Sequence, residues 1–285
     1  MATTDLAARE REVANKLRGT PVSDGAGVRM TRMMGTPKLD HFDPFLMLDE
    51  FRSDDPNDYI AGFPDHPHRG FETVTYMLAG NMKHEDNQGN MGLLGPGSVQ
   101  WMTAGRGIVH SEFPQQKDGL MWGFQLWVNL PASDKMTAPR YQDIQGDQIP
   151  TVDLGEGVSA RVIAGELGGV TGPIGGVATE PVYYDFTLAP GASYSFELPA
   201  GHNTFVLSYQ GDVKLGASQR LVERGEIALL TQGGRLSVAA GDAETRFIVV
   251  AGKPLNEPIA RYGPFVMNTE AEIHQAFADY RAGKL

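Results

Sequence analysis

Two short runs of the chain place side chains that can bind a metal two residues apart. His66 and His68 form the first pair, and His110 and Glu112 form the second. Residues two apart on a β-strand point to the same face, so each pair would aim both side chains at one side of a sheet. Three imidazoles and one carboxylate predict a mononuclear metal site, of a kind that suits Fe, Ni, Mn, Cu or Zn.

The same histidines also allow a purely structural interpretation. A single histidine in a β protein is usually a surface residue or a hydrogen-bonded core residue, and the His66-Pro67-His68 run could form an exposed loop. Four of the seven histidines nevertheless fall within one predicted run of strands: His66, His68, His84 and His110. This clustering favours the metal site.

The segment between the two pairs is typical of strands joined by tight turns. Residues 72–78 are rich in β-branched and aromatic side chains, and the turn signals Gly80-Asn81 and Gly95-Pro96-Gly97 follow. A β-barrel would bring the two pairs together. The chain as a whole has 35 glycines and 18 prolines, spread along its length. This pattern suits many short strands rather than disorder.

Charge and composition exclude several classes of partner. The net charge of −11 argues against direct binding to nucleic acid or to an anionic membrane. The absence of cysteine removes thiolate ligands and disulfides, and fits a cytoplasmic protein. The charged segment Met1 to Thr20 predicts a short amphipathic helix or a frayed arm. No apolar run is long enough for a signal peptide or a membrane span.

The chain shows signs of an internal duplication. A pattern of strand, glycine turn, strand and second glycine turn surrounds Gly80 and Gly97, and it recurs around Gly211 and Gly225. This pattern predicts an all-β protein with two jelly-roll barrels in tandem.

Transferring the ligand positions from the first half to the second tests whether both halves could hold a metal. The same offsets from the second pair of glycines give Glu197, Pro199 and Val238, which are not an equivalent ligand set. We therefore predict one metal centre, in a domain spanning residues 1–138. A linker at residues 139–157 would lead to a metal-free barrel at residues 158–285.

The C-terminal tail predicts a helix. Thr269 and Glu272 have the spacing of a capping box, and Ile273, Phe277 and Tyr280 follow at helical intervals. We expect this helix to pack its apolar stripe on a barrel.

Several longer runs resemble the pirin family of bicupins, within the cupin superfamily. They are residues 66–76, 84–86, 100–112, 125–131 and 257–269. The resemblance covers most of the chain and is densest through residues 63–131. It implies two cupin barrels and an iron centre held by four matching residues: His66, His68, His110 and Glu112. It also implies a metal-free C-terminal cupin.

The resemblance implies two functions of different kinds. Some pirins resemble quercetin 2,3-dioxygenases, whose substrates would be a small aromatic molecule and O2. Others act as regulators through protein partners, and this chain could be an iron-containing, redox-responsive member of that group. One divalent metal is expected in either case, with Fe(II) favoured over Ni, Mn, Cu or Zn. An open, roomy cavity would favour the enzyme, and a sealed one the regulator.

In the enzyme, four protein ligands would leave two of six coordination positions open to a catechol-like or 3-hydroxy-4-keto aromatic. Glu112 is the residue expected to act as the catalytic base and take the proton of the substrate hydroxyl. Dioxygen would then open the heterocycle of a flavonol such as quercetin and release carbon monoxide.

Further residues are expected around the cavity: Phe63, His84, Asp86, Trp101 and Gln125. Each has a structural alternative. His84 and Asp86 could form the polar end of a hairpin rather than the cavity mouth, and Gln125 could be a satisfied core amide. Phe63 and Trp101, together with Met77, could be ordinary barrel core. Arg69 and Glu72 are expected to form either a pair that orients the ligands or a surface ion pair.

Overall fold

The computed structural model describes residues 3–285, with side chains from Leu6 onward. The protein is mostly β-structure, as predicted. The first twelve strands are β1 (Val13–Arg18), β2 (Thr20–Asp24), β3 (Val28–Met34), β4 (Phe45–Ser53), β5 (Phe63–His68), β6 (Phe71–Ala79), β7 (Met82–Asp86), β8 (Met91–Leu94), β9 (Val99–Thr103), β10 (Ile108–Pro114), β11 (Met121–Asn129) and β12 (Arg140–Ile144). A single 3₁₀ turn, Pro56–Asp58, lies between β4 and β5.

Fourteen further strands follow in the second part of the chain. They are β13 (Thr151–Gly155), β14 (Val158–Ala164), β15 (Glu166–Leu167), β16 (Val170–Thr171), β17 (Val182–Leu188), β18 (Ser193–Glu197), β19 (Asn203–Gln210), β20 (Val213–Leu215), β21 (Arg220–Val222), β22 (Glu226–Leu230), β23 (Arg235–Ala240), β24 (Thr245–Gly252), β25 (Ala260–Tyr262) and β26 (Phe265–Met267). A second 3₁₀ turn, Gly146–Gln148, precedes β13.

Two helices complete the described structure: α1 (Thr3–Ala8) and α2 (Glu270–Arg281). The N-terminal arm thus holds a short helix followed by β1, and Met1 and Ala2 lie outside the described residues. No helix within residues 3–285 is long and apolar enough to span a membrane.

The first barrel consists of residues 20–147 and 255–285. Its strands form a seven-stranded sheet in the order β12-β9-β6-β11-β4-β3-β2 and a four-stranded sheet in the order β5-β10-β7-β8. A cluster of buried, methionine-rich side chains fills part of this barrel: Val28, Met30, Phe51, Tyr59, Met77, Met82, Leu94 and Met121. Met77 is therefore a core residue, the structural alternative considered for it.

The second barrel consists of residues 148–254 together with the described residues up to Gly19. Its sheets repeat the first barrel's plan, with the orders β1-β22-β19-β24-β17-β14-β13 and β18-β23-β20-β21. Strands β18 and β23 pair as β5 and β10 do, and Tyr194 lies opposite Val238. Val238 belongs to an apolar cluster that includes Phe196 and Leu236, with Tyr194 packed against it. Apolar side chains therefore stand where the first barrel has histidines.

The sequence led us to expect domains at residues 1–138 and 158–285, joined by a linker at residues 139–157. The contacts in the structure divide the chain at other points. Strand β1 pairs with β22 of the second barrel, whereas residues 255–285 group with the first. The expected linker contains β12, which pairs with β9, and β13, which pairs with β14. Both are edge strands with half-exposed faces, so they lack the sustained apolar pattern that would have marked them as strands.

The helix α2 has the predicted capping box. The Thr269 side chain accepts from the Glu272 backbone N–H, and the Glu272 side chain accepts from the Thr269 backbone N–H. Its buried face is formed by Ile273 and Ala276, with Phe277 partly buried beside them, and it packs on Phe265 and Met267 of the first barrel. Tyr280 is 40% exposed, so the apolar stripe is narrower than predicted.

A buried lysine connects the C-terminal segment to the loop after β5. The Lys135 ammonium donates to the carbonyl oxygens of Gly70 at 2.8 Å and Val266 at 3.1 Å, and to Asn129 Oδ1 at 2.7 Å. Burial lowers the pKa of Lys135 to about 8. The Lys135 ammonium is therefore hydrogen-bonded to three neutral oxygen atoms. No carboxylate among the described residues is bonded to it.

The close approach of these two segments requires glycine at position 70. Gly70 has a φ of +87°, and a Cβ there would overlap the Val266 carbonyl oxygen. Gly70→Ala is expected to lower the free energy of unfolding by about 3 kcal/mol or more, because backbone overlap adds to left-handed strain. Thermal or denaturant unfolding monitored by circular dichroism measures this loss.

Gly89→Ala is the matched control. Gly89 has a φ of +86°, yet a Cβ there would meet nothing within 4 Å. We expect a loss of only about 1–2 kcal/mol from the conformational strain alone. If the two substitutions lowered the free energy of unfolding equally, contact with the Val266 carbonyl oxygen would not be what requires glycine at position 70.

Candidate metal centre

The register of two strands brings the four candidate ligands to one face. In the antiparallel pair β5–β10, His110 lies opposite His66 and Ile108 lies opposite His68. The register shifts between His110 and Glu112, and Glu112 lies opposite Phe63 on β5. A shift of this kind is a β-bulge, which changes the direction of a side chain at a strand end.

The three histidine rings converge. One ring nitrogen from each of His66, His68 and His110 lies within 4.8 Å of the other two. The ring centroids are 4.4 Å apart for His66 and His110, 4.7 Å for His66 and His68, and 5.0 Å for His68 and His110. Within the part of the chain that the structure describes, no other group of three such side chains has this geometry. These histidines could hold a metal ion.

The hydrogen bonding of the rings fits a metal. Nδ1 of His68 and Nε2 of His110 are buried and have no hydrogen-bond partner. His66 Nδ1 lies 2.8 Å from the Pro64 carbonyl oxygen, which can only accept, so its Nε2 is free for another partner. Buried ring nitrogens are rarely left without a partner, and a metal ion would supply one.

Burial also favours the protonation state that a metal needs. Desolvation lowers the pKa of His68 and of His110 well below the usual histidine range, and the neighbouring histidines lower it further. Both rings are therefore neutral at pH 7. A neutral imidazole has the lone pair that metal binding requires.

Glu112 lies close to the histidines but is not part of the converging group. Its carboxylate is 4% exposed and lies 3.3 Å from Thr75 Oγ1 and 3.4 Å from Gln125 Nε2. The single hydroxyl proton of Thr75 has a better acceptor, because Gln125 Oε1 lies only 2.6 Å away. The carboxylate is consequently held by long contacts alone, and it is free to turn towards a metal or a substrate.

His84 lies behind His110, not at the cavity mouth. Its Nδ1 is 3.3 Å from His110 Nδ1, its ring lies 4.8 Å from that of Tyr141, and it is 1% exposed. A proton on His110 Nδ1 donated to His84 would leave His110 Nε2 for the metal. Asp86 shapes the following turn, since its Oδ1 accepts from the backbone N–H groups of Gln88 and Asn90.

A cavity of about 620 Å³ opens beside the histidines. Phe63 and Gln125 line it, together with His66, His68 and Glu112. Trp101 does not. Gln100 is the register partner of Thr75, whose side chain reaches Glu112, so alternation along β9 turns Trp101 to the opposite face.

The sequence reasoning missed several residues that line this cavity: Asp24, Met30, Arg32, Met47, Asp49, Thr75, Trp127, Arg261 and Pro264. Trp127 was detectable, because it lies two residues after Gln125 on β11 and so shares its face. Those on β2, β3, β4 and the C-terminal hairpin carried no comparable signal, since only the folded chain brings these segments to the centre.

Arg69 and Glu72 do not form the expected pair. Arg69 Nη1 lies 2.8 Å from Asp279 Oδ2 on α2, and its Nε donates to the Arg106 carbonyl oxygen. Glu72 instead accepts from the Thr103 hydroxyl at 2.7 Å. The C-terminal helix is therefore bound to the residue that follows His68.

Two tandem jelly-roll barrels, one with converging histidines and one filled with apolar side chains, define a bicupin with a single candidate metal centre. The chain belongs to the pirin family. The Pirin family model matches residues 27–128, and the Pirin C-terminal cupin domain matches residues 183–285. The resemblance drawn from the sequence and the bicupin fold are both confirmed.

Similar proteins from other organisms support this membership. A Pseudomonas aeruginosa protein provisionally named a quercetin 2,3-dioxygenase is 51% identical over 97% of this chain and 99% of its own length. Human pirin is 44% identical over 92% of this chain and 89% of its own. The crystal structure of quercetin 2,3-dioxygenase from Acinetobacter baumannii superposes with a TM-score of 0.89 at 36% identity, covering 97% of this chain and 98% of that one.

Removing one histidine is expected to abolish metal binding. His110→Ala leaves only two imidazoles, so the purified, dialysed variant should contain little metal, whereas the wild type should contain about one ion per chain. Elemental analysis by mass spectrometry measures this. His274→Ala, on the exposed face of α2, is the control and should keep its metal. Retention of a full metal complement by His110→Ala would remove His110 from the ligand set.

The ion pair between Arg69 and α2 predicts a pH dependence of stability. The hydrogen bond from Arg69 lowers the pKa of Asp279, so the pair stabilises the fold above the ordinary carboxyl range and this contribution is lost as the pH falls through the lowered value. Asp279→Asn should lower the melting temperature at pH 7, and the difference from wild type should shrink in acid. Asp242→Asn, at an exposed surface position, should show neither effect.

Proposed function

We propose that this protein is a metal-dependent dioxygenase that opens a flavonol such as quercetin. The observation that carries the proposal is the opening of His66, His68 and Glu112 into one cavity of about 620 Å³. Small-molecule sites usually have volumes of roughly 300–1,000 Å³. The names of the Pseudomonas and Acinetobacter relatives support the same activity.

The proposed ligands are His66, His68, His110 and Glu112, and Fe(II) is the metal we favour over Ni, Mn, Cu or Zn. When bound, such an ion supplies the Lewis acidity that lowers the pKa of a substrate hydroxyl. The three histidines account for the metal's retention, because their donor nitrogens converge without the carboxylate. Glu112 is then free for a second role.

Glu112 is the proposed catalytic base. It is nearly buried and faces the cavity, so it can reach a hydroxyl group on a substrate placed beside the histidines. Its contacts of 3.3 Å and 3.4 Å with Thr75 and Gln125 are long enough to let the carboxylate rotate. After proton transfer, the Gln125 amide can still donate to the second carboxylate oxygen.

The walls of the cavity suit an aromatic substrate. Phe63, Met30, Met47 and Trp127 present apolar surface around the polar floor. The planar rings of a flavonol could pack against these apolar side chains. In the overall reaction, both atoms of O2 enter the ring-opened ester and one ring carbon leaves as carbon monoxide.

The experiment that tests this proposal measures metal content and turnover on the same sample. Protein purified without oxygen and loaded separately with Fe, Ni, Mn, Cu or Zn is given quercetin and O2. We expect oxygen uptake and release of carbon monoxide with at least one metal, and neither with His110→Ala. A full metal complement without turnover would contradict the enzyme and favour the regulatory protein that acts through protein partners.

Glu112→Gln tests the catalytic base. The amide keeps the shape and the contacts with Thr75 and Gln125 but cannot take a proton. Since general-base catalysis contributes roughly 10²–10⁴-fold, oxygen uptake should fall by about that factor while the three histidines retain the metal. Steady-state oxygen uptake together with elemental analysis measures both quantities. Unchanged turnover in this variant would mean that another group takes the proton.

A further inference from the structure

Two arginines line the metal cavity, and only one of them is neutralised. Arg32 donates to Asp49 at 2.8 Å and 2.7 Å, and to Asp24 at 3.1 Å. This two-point pairing with a buried carboxylate occupies the planar edge of the guanidinium. Arg32 therefore has little capacity left to bind a ligand, and it offsets the charge of the acidic side chains beside it.

Arg261 is differently placed. Its guanidinium lies over the Trp127 ring, 4.9 Å from the centroid, and donates to the Leu46 carbonyl oxygen at 3.3 Å. Its remaining contact is with the Met47 sulfur at 4.0 Å. No carboxylate among the side chains that the structure describes, from Leu6 onward, forms an ion pair with it. Most of its five N–H donors are thus available to a ligand.

The position of Arg261 relative to the histidines is set by Trp127. The Trp127 ring contacts His68 edge-on, with the centroids 5.2 Å apart, and carries Arg261 on its face. His68 lies on the buried floor of the cavity, whereas Arg261 is exposed at its rim. The guanidinium of Arg261 and the ring of His68 therefore contact the same indole ring.

We infer that Arg261 selects aromatic substrates that carry an anionic group, a carboxylate or an ionised phenol, at the end that faces away from the metal. This inference rests on the proposed function, because it uses the same cavity and the same binding mode at the histidines. A planar guanidinium held by stacking is preorganised for a two-point contact with such a group.

The other charges at the rim restrict where the anion can lie. Asp24 is engaged by Arg32 and by the backbone N–H of Gly25. Asp65 is exposed and lines the same cavity, so an anion near it would be repelled. Only the Trp127 side of the rim combines an available cation with an aromatic surface.

The test compares two ligands that differ by one charge: catechol and 3,4-dihydroxybenzoate. Both are titrated anaerobically into metal-loaded protein by calorimetry, so that no oxygenation follows binding. We expect the wild type to bind the benzoate about fivefold to tenfold more tightly than catechol, because a hydrogen bond between two charged groups is stronger than a neutral one. In Arg261→Gln the ratio should fall to about one.

Two further variants separate this contact from general electrostatics. Arg281→Gln removes an arginine from the last turn of α2 that does not line the cavity, and it should preserve the preference. Arg261→Lys keeps the charge without the planar, stacked group, and should retain only part of it. Melting curves for each variant establish that it is folded before titration.

The outcomes distinguish the inference from the proposed function. Catechol binding that requires metal, with no preference for the benzoate in the wild type, would overturn the role of Arg261 and leave the dioxygenase proposal standing. A preference that survives in Arg261→Gln would do the same. If neither ligand binds the metal-loaded wild type, the inference fails, whereas the proposed function is decided separately by oxygen uptake with quercetin.

Discussion

The candidate centre depends on the register of β5 against β10. His66 and His110 are direct partners across these strands, and His68 is one pair further along the same face. Side chains alternate along a strand, so a slip of one residue would turn both β5 histidines away from His110. The bulge before Glu112 is equally specific, because it changes where the carboxylate points relative to the rings.

The surroundings of these strands hold that register. Arg69, directly after His68, is bound to Asp279 on α2, and Gly70 lies close to Val266 on β26. Lys135 donates to the carbonyl oxygens of both Gly70 and Val266. The C-terminal segment therefore supports the candidate metal site from a distant part of the sequence, and it also supplies Arg261 to the cavity.

The two barrels show how one fold can carry different chemistry. Strands β18 and β23 repeat the pairing of β5 and β10, yet Phe196, Leu236 and Val238 pack there into an apolar core. Burying the imidazoles of His68 and His110 in the first barrel costs solvation free energy, and a bound metal would offset this cost. At the equivalent place, the second barrel is stabilised by hydrophobic burial.

The sequence alone determined the jelly-roll class, the duplication, the capped C-terminal helix and the two pairs of candidate ligands. These features follow from local periodicity, turn residues and the alternation of side chains along a strand, all of which are fixed by neighbouring residues. The family resemblance added the expected metal and the alternative functions.

Only the tertiary structure decided which distant segments meet. It assigned β1 to the second barrel and residues 255–285 to the first, and it showed the expected linker to be edge strands. In the structure, His84 lies behind His110, and Trp101 points to the opposite face of its sheet from Gln100. Arg261 lies at the rim of the cavity. Such placements arise because strands that are distant in sequence pair with one another. This pairing produces no local pattern in the sequence from which it could be predicted.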